Sequence, residues 1–208
     1  LLDQVTSLFA ARDHAVFFDC RSLEVERVPV PPEVRFVIVQ SGVKHALSDG
    51  AYNERRAECE EAARVLGVGK LREATMRLID EAERSGRLQG APLRRSRHVV
   101  GENARVAAAV EALRVGDLAK VGQLMNESHE SSRTLFENSC GELDFLAAEA
   151  RTIPGCLGAR LTGGGFGGAV LALVKHGTED DFVEAISERT DRAWGRVPQT
   201  LVTGAGGA

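Results

Sequence analysis

Several features that would assign a class of protein at once are missing from this sequence. Aromatic residues make up only 5% of it, with one tyrosine and one tryptophan. Its longest apolar run, residues 168–174, is much too short to span a bilayer, and no basic segment precedes an apolar stretch at the start. The sequence therefore predicts neither a membrane partner nor a secretory leader.

Closely spaced cysteines are also missing. The four cysteines, Cys20, Cys59, Cys140 and Cys156, are far apart and form no C-x-x-C pair. This spacing excludes a zinc knuckle and a thioredoxin-like redox motif. We interpret the cysteines as reduced thiols and predict a cytoplasmic protein.

The histidines likewise show no spacing typical of metal ligands. We interpret all five as structural or surface residues, and we predict no metal-ligating residue in this chain. They are His14, His45, His98, His129 and His176.

Charge of one sign does not dominate either. The formal net charge is −4, which gives no reason to expect a nucleic-acid partner, because nucleic acids favour a concentrated basic surface. The most basic run is residues 94–98, Arg-Arg-Ser-Arg-His, and no aromatic residue interleaves with it to stack on bases. We interpret this run as a solvated loop and helix start.

The 208 residues contain 43% hydrophobic residues, enough to bury a substantial core. The first residue is leucine, and the chain opens inside an apolar, helix-like run, residues 1–9. We therefore expect this sequence to be a piece of a longer protein.

Two short strands are predicted first, over residues 14–19 and 23–28. Prolines at positions 29, 31 and 32 then interrupt regular structure and mark a domain boundary at residues 29–33. After them, residues 35–40 are apolar on both faces, as in a buried strand.

The remaining pattern predicts helices, then two strands, a helix and a last strand. Asp117 and Thr178 are predicted to cap two of the helices. This order is that of an α+β, ferredoxin-like (split βαβ) domain with extra helices inserted in its first crossover. The predicted helices start near residues 48, 99, 118, 143 and 179, and the predicted strands cover residues 159–162, 169–175 and 200–203.

A glycine-rich stretch, Thr-Gly-Gly-Gly-Phe-Gly-Gly at residues 162–168, is the most informative motif. Such a stretch adopts positive φ easily and lets backbone amides approach a phosphate. It contains G-x-G-x-x-G, but a strand follows it where a dinucleotide-binding fold needs a helix. Two interpretations stay open at this point, a phosphate cradle and a hairpin packed against another domain.

The same stretch resembles the third conserved motif of the galactokinase, homoserine, mevalonate and phosphomevalonate kinase superfamily. Further segments resemble the galactokinase family in particular, and they occur in that family's order over almost the whole chain. These segments are Leu2-Asp3-Gln4, residues 14–24 (HAVFFDCRSLE), Ser41-x-Val43-Lys44-His45, Tyr52-Asn53-x-Arg55-Arg56 and Arg97-His98-Val99-Val100-x-Glu102.

The resemblance implies ATP-dependent phosphorylation of galactose at its C1 hydroxyl. Asp3 matches the general base of the family, and Tyr52 matches a tyrosine that contacts the sugar. The glycines at the phosphate site would be Gly163, Gly164, Gly165 and Gly167. Without the resemblance, Asp3 would be a residue that compensates a helix dipole, and Tyr52 equally a residue with its ring on the core.

The resemblance also implies two parts, residues 1–33 as a remnant of an N-terminal α/β domain and residues 34–208 as the C-terminal domain. The family's N-terminal sugar-binding motif and its P-x-G-x-G-L-S-S-S phosphate loop do not occur in these 208 residues. Mg²⁺ would accompany ATP, with its ligands in the missing part. We therefore expect the chain alone to be inactive and to self-associate through residues 1–28, which the missing part would otherwise cover.

Three other functions remain open. The first is a kinase for N-acetylgalactosamine or another sugar, and the second is a regulator that senses galactose and ATP without turnover. Loss of the base would mark a regulator, and Asp3 is present. The third is a free-standing interaction module, which the strands before Pro29 disfavour because they would be left without a sheet.

Overall fold

A computed structural model describes residues 2–43 and 48–205 of the chain. The helices are α1 (Leu2–Phe9), α2 (Ser48–Leu66), α3 (Met76–Arg84), α4 (Gly90–Arg114), α5 (Leu118–Ser131), α6 (Gly141–Thr152) and α7 (Glu179–Trp194). The strands are β1 (His14–Phe18), β2 (Val25–Pro29), β3 (Val34–Gln40), β4 (Cys156–Thr162), β5 (Ala169–Lys175) and β6 (Thr200–Thr203). A 3₁₀ turn at Leu71–Glu73 and a π-helical turn at Ser132–Phe136 complete the regular structure.

The main sheet has four strands in the order β4-β5-β3-β6, and all of its neighbours are antiparallel. With α6 as the helix of the first crossover, the order β3, α6, β4, β5, α7, β6 is that of a split βαβ domain. The predicted α+β, ferredoxin-like fold with inserted helices is confirmed. The insertion comprises α2 to α5, which lie between β3 and α6 in the sequence.

The main core lies between this sheet and helices α6 and α7. Alternate residues of β3, Val37 and Val39, are buried in it with Phe182 and Ile186 of α7. The preceding residue, Phe36, packs in a separate cluster with Leu173, on the side of α4 and α5. Because neighbouring residues of a strand point to opposite faces, both faces of the sheet are covered, as the two-sided apolar pattern predicts.

Helix α5 covers the outer edge of β4. The Asn126 side-chain oxygen accepts a hydrogen bond from the Ala159 amide (2.9 Å), and His129 Nδ1 accepts one from the Leu161 amide (3.1 Å). An unpaired strand edge can pair with another chain, and these side chains satisfy its N–H groups instead. Helix α5 thereby holds β4 in place just before the glycine-rich stretch.

The first strands form a separate two-stranded sheet, in which β1 and β2 are antiparallel. Main-chain bonds join this hairpin to the rest, since the Asp13 amide donates to Ala205 and the Val30 amide donates to Asp13, each at 2.8 Å. Val30 is buried beside Val34 and Ala112.

Two details differ from the sequence predictions. Helix α3 was not predicted, because its apolar positions are few within nine residues. Asp117 accepts from the Lys120 amide and caps α5 as predicted. Thr178 is the N-cap residue of α7 as predicted, but its hydroxyl donates to the Lys175 carbonyl and makes no capping bond to the helix.

The interpretation of residues 94–98 as a solvated loop and helix start is wrong. They lie within α4, and Arg95 and His98 are buried. None of the helices that the described residues form is both long and apolar enough to cross a membrane.

Two glycines let α5 and β4 approach each other. A Cβ atom at Gly158 would lie 2.1 Å from the Gly122 carbonyl oxygen, so alanine there would force the two backbones apart. We expect Gly158→Ala to lower the free energy of unfolding by about 2 kcal/mol or more, measured by urea denaturation. Gly50→Ala is the control, because its Cβ would meet nothing within 4 Å and alanine favours a helix by about 1 kcal/mol. Equal stability of the two variants would contradict this account of the packing.

Candidate functional site

The glycine-rich stretch forms the loop between β4 and β5, in which Thr162 pairs with Ala169 across the hairpin. We call residues 163–168 the glycine loop. Positive φ angles occur at Gly165 (81°) and also at Phe166 (59°), a conformation that a bulky residue adopts only where its surroundings impose it. The predicted hairpin is therefore present, and it has a defined, tightly constrained shape.

The inner side of the glycine loop packs against residues 138 and 43 of the same chain. The Phe166 amide donates to the Asn138 carbonyl (2.6 Å), and the Gly168 amide donates to the Val43 carbonyl (3.3 Å). A Cβ atom at Gly165 would lie only 2.1 Å from the Asn138 carbonyl oxygen. Contacts within this chain thus determine the conformation of the loop.

The outer side of the glycine loop is open. Gly163 and Gly164 are exposed, and a Cβ atom at either position would meet nothing within 4 Å. Within residues 2–43 and 48–205, the amides of Gly163, Gly164 and Gly165 donate no hydrogen bond. Such amides can donate to an anion. Gly164 itself does not have the positive φ that was predicted for the stretch as a whole.

The residues beneath the loop form a turn, 135–138, that is supported by a buried arginine. Arg95 of α4 is 1% exposed and donates to the Leu135 carbonyl at 2.5 Å. Its guanidinium also pairs with Glu58 of α2 at 2.7 Å and with Glu137 at 2.6 Å. Glu137 has a left-handed conformation, with φ of 55°. The ion pairs therefore hold a strained residue directly before Asn138.

A second arginine connects this turn with the glycine loop. Arg55 of α2 donates to the Phe136 carbonyl at 2.8 Å and to the Glu137 carbonyl at 3.3 Å. Its guanidinium carbon lies 6.0 Å from the centroid of the Phe166 ring, within cation–π range. Helix α2, the turn and the loop are thus joined through one side chain.

The electrostatics of the turn keep Glu137 charged and His98 neutral. Hydrogen bonding from Arg95 lowers the pKa of Glu137, with a smaller contribution from Arg94. Burial lowers the pKa of His98 to about 4, and its ring stacks on Phe136 with centroids 4.5 Å apart. A neutral imidazole packs there without adding charge beside the arginines.

A further buried histidine supports the other side of the turn. Burial lowers the pKa of His129, so the ring is neutral and its Nδ1 can accept from Leu161. Its Nε2 lies 3.3 Å from Asp144 Oδ1, which also accepts from the Ser139 hydroxyl at 2.6 Å. These contacts connect Leu161 of β4 with Ser139, the residue that follows Asn138.

Tyr52 lies in the first part of α2, and its side chain is 61% exposed. The alternative that its ring packs in the core is wrong. The ring faces an open groove, and Arg55, which contacts the loop, follows one helical turn later. The groove is lined by Tyr52, Arg56, Cys59, Lys70, Arg72 and Val99, among others.

Asp3 lies in the first turn of α1, and its side chain is outside the described part of the structure. Lys44 and His45 of the Ser-x-Val-Lys-His segment also lie outside the described residues. The neighbouring Ser41 is buried, and its carbonyl accepts a hydrogen bond from Arg196 at 2.7 Å.

Among residues 2–43 and 48–205, no three or more His, Cys, Asp or Glu side chains are grouped so that they could hold a metal ion. The four cysteines are free thiols, and burial raises the pKa of Cys156 to about 11, so this thiol stays protonated at neutral pH.

Sequence reasoning missed three residues that support the loop, namely Arg55, Arg95 and Asn138. Both arginines lie in or beside segments that carried the family resemblance. The resemblance drew attention to these segments but did not indicate that the arginines support the loop. Asn138 stood in no quoted motif, and only the fold brings it beneath the loop.

Comparison with known proteins agrees with this architecture. Residues 109–191 match the family model for the C-terminal domain of GHMP kinases. The chain is 44% identical to a galactokinase of Chloroflexus aggregans and 43% identical to one of Thermotoga petrophila, over 99% and 94% of its length. A crystal structure of Lactococcus lactis galactokinase complexed with galactose superposes on the whole chain with a TM-score of 0.90, at 34% identity.

Each of these three proteins is longer than the present chain. The chain covers 54% of each of them, about half the length of the curated relatives that it matches.

The two neighbouring glycines of the loop should respond differently to alanine. At Gly165 the new Cβ atom would collide with Asn138 and oppose a φ of 81°, so Gly165→Ala should lower the free energy of unfolding by about 2 kcal/mol. Gly164→Ala faces open space and should change it by less than about 0.5 kcal/mol. Chemical denaturation of both variants tests this, and an equally tolerant Gly165 would show that the loop is not constrained by Asn138.

Proposed function

We propose that the whole protein is a galactose kinase, because residues 109–191 match the C-terminal domain of GHMP kinases and the chain is similar to galactokinases over almost all of its length. In this reaction the γ-phosphate of ATP is transferred to the C1 hydroxyl of galactose, which gives galactose 1-phosphate and releases ADP. The observation that carries the proposal is that curated galactokinases match this chain along almost all of its residues.

In the proposed reaction, Asp3 acts on the nucleophile. Its carboxylate accepts a hydrogen bond from the C1 hydroxyl of galactose and takes its proton as the oxygen attacks the γ-phosphorus. In phosphoryl transfer such a group mainly positions and polarises the attacking oxygen.

The glycine loop would lie beside the transferred phosphate. The amides of Gly163, Gly164 and Gly165 are free to donate within the described residues, and Gly167 helps the loop to pack on Val43. Donors that are fixed before the substrate arrives stabilise developing negative charge without reorganising. The packed inner side of the loop supports this role, because it leaves the outer amides available.

ATP is the proposed phosphate donor, and Mg²⁺ would accompany it and shield its phosphate charge. We propose that the ligands of Mg²⁺ lie outside this chain, in the part of the whole protein that the chain does not cover. The free thiols support the proposed cytoplasmic location.

Two related functions can be distinguished by measuring the phosphorylation of each sugar by the whole protein. N-acetylgalactosamine would replace galactose if the sugar pocket is wider, and a regulator would bind both ligands without turnover. Asp3 favours catalysis over regulation, because a sensor has no need of a base.

We further propose that residues 1–33 belong with an N-terminal domain and residues 34–208 form the C-terminal one. Leu8 (77% exposed) and Leu23 (62% exposed) are large apolar residues on the surface of the first part. Exposed apolar groups favour association, so the 208-residue chain alone should be inactive and should self-associate through residues 1–28.

The role of Asp3 is tested in the whole protein. We expect Asp3→Asn to reduce the turnover of galactose by about a hundredfold or more while ATP binding is retained, because the amide cannot accept the proton. Asp181→Asn, which removes an acidic residue from the first turn of α7, is the matched control and should retain full activity. Steady-state kinetics and calorimetry with ATP provide the measurements. Turnover of Asp3→Asn within tenfold of the wild type would exclude Asp3 as the base.

The role of Tyr52 is tested by removing only its hydroxyl group. A neutral hydrogen bond contributes roughly 0.5–1.5 kcal/mol, so Tyr52→Phe should raise the KM for galactose about two- to tenfold and leave the KM for ATP unchanged. Because the side chain is largely exposed, the free energy of unfolding should not change. An unchanged KM for galactose together with lower stability would assign Tyr52 a purely structural role.

A further inference from the structure

We propose that Asn138 is a positioning residue for the phosphate-binding conformation of the glycine loop. In this role it contacts no substrate and acts by orienting one peptide unit of the loop. The inference rests on the proposed function, because it assumes that the loop faces the phosphates of ATP.

Asn138 contacts three consecutive loop residues. Its side-chain Nδ2 donates to the Gly164 carbonyl at 3.1 Å, and its main-chain carbonyl accepts from the Phe166 amide at 2.6 Å. Between these two bonds, Gly165 is so close that a Cβ atom there would lie 2.7 Å from Nδ2. The two peptide units that flank Gly165 are therefore both bonded to Asn138.

These bonds determine where the loop amides point. In a trans peptide the C=O and the following N–H point in opposite directions. Because the Gly164 carbonyl points towards Asn138, the Gly165 amide points away from it. The asparagine thus turns a hydrogen-bond donor of the loop away from the turn beneath it.

Asn138 itself is held rigidly enough for this role. It is 7% exposed, and its amide donates to the Ser132 carbonyl at 3.2 Å. The preceding residue, Glu137, is bound by Arg95 and Arg55, and the following residue, Ser139, is bound to Asp144.

The donor group of Asn138 is the part that matters. Among the described residues, its buried Oδ1 has no hydrogen-bond partner, so only Nδ2 makes a bond from the amide. If an oxygen replaced Nδ2, two acceptors would face each other at the Gly164 carbonyl.

The test is Asn138→Asp in the whole protein. An ionised carboxylate repels the Gly164 carbonyl, whereas a protonated carboxyl group donates to it as the amide does. Because the position is buried and faces a carbonyl oxygen, we expect the pKa of the introduced carboxyl group to be raised well above the usual range of aspartate. We expect the KM for ATP to rise about tenfold at pH 8 and to return towards the wild-type value as the pH falls to 5.5. The KM for galactose should stay unchanged at each pH, relative to the wild type.

Asn126→Asp is the matched control. The oxygen of Asn126 accepts from the Ala159 amide, so a carboxylate keeps that bond, and no pH-dependent change in the KM for ATP is expected. Asn138→Ala is the second variant, in case the aspartate does not fold. It removes the donor without adding a charge, so its KM for ATP should rise at every pH.

Hydrogen exchange of residues 161–169 without ATP gives a readout that is independent of activity. Exchange in Asn138→Asp should be faster than in the wild type at pH 8 and similar at pH 5.5. Unchanged exchange would overturn the positioning role, even if the whole protein proves not to phosphorylate galactose. Faster exchange with an unchanged KM for ATP would overturn the link between the loop and the phosphates.

Discussion

The buried guanidinium of Arg95 is the group on which the arrangement of the site depends. A charge removed from water costs several kcal/mol unless ion pairs and hydrogen bonds replace its hydration. Here the replacements come from Glu58 on one helix and from Glu137 and the Leu135 carbonyl on a turn. Because these partners are distant in sequence, satisfying one side chain requires α2, α4 and the turn to meet at one point.

The consequences extend from that point to the glycine loop. Glu137 takes a left-handed conformation that costs a non-glycine residue about 1 kcal/mol or more, and its ion pair with Arg95 offsets this cost. The chain then turns so that Asn138 lies beneath the loop. On the opposite side, His129 holds β4 at Leu161, just before the loop begins. The loop is thus supported both from beneath and at its base.

The fold could be predicted because its signals are local. Apolar runs correctly indicated β3 and β5, helical apolar patterns indicated α2 and α7, and the order of the predicted elements led to the split βαβ plan. The glycine loop was also evident. The buried role of Arg95 could not be predicted, because a run of arginines has the same composition whether its partners are water or carboxylates 37 and 42 residues away. The difference between Gly164 and Gly165 likewise depends on Asn138, which is near them only in the folded chain.

The hairpin and the proposed phosphate cradle are compatible interpretations of the glycine loop. A hairpin loop that moves freely in solution would have to order its amides when it binds an anion. The conformational entropy lost in that step would weaken the binding of the anion. Packing one side of the loop against Asn138 and Val43 incurs this cost during folding instead. The hairpin is therefore what makes the proposed cradle effective, because its inner contacts hold the outer amides in place before ATP arrives.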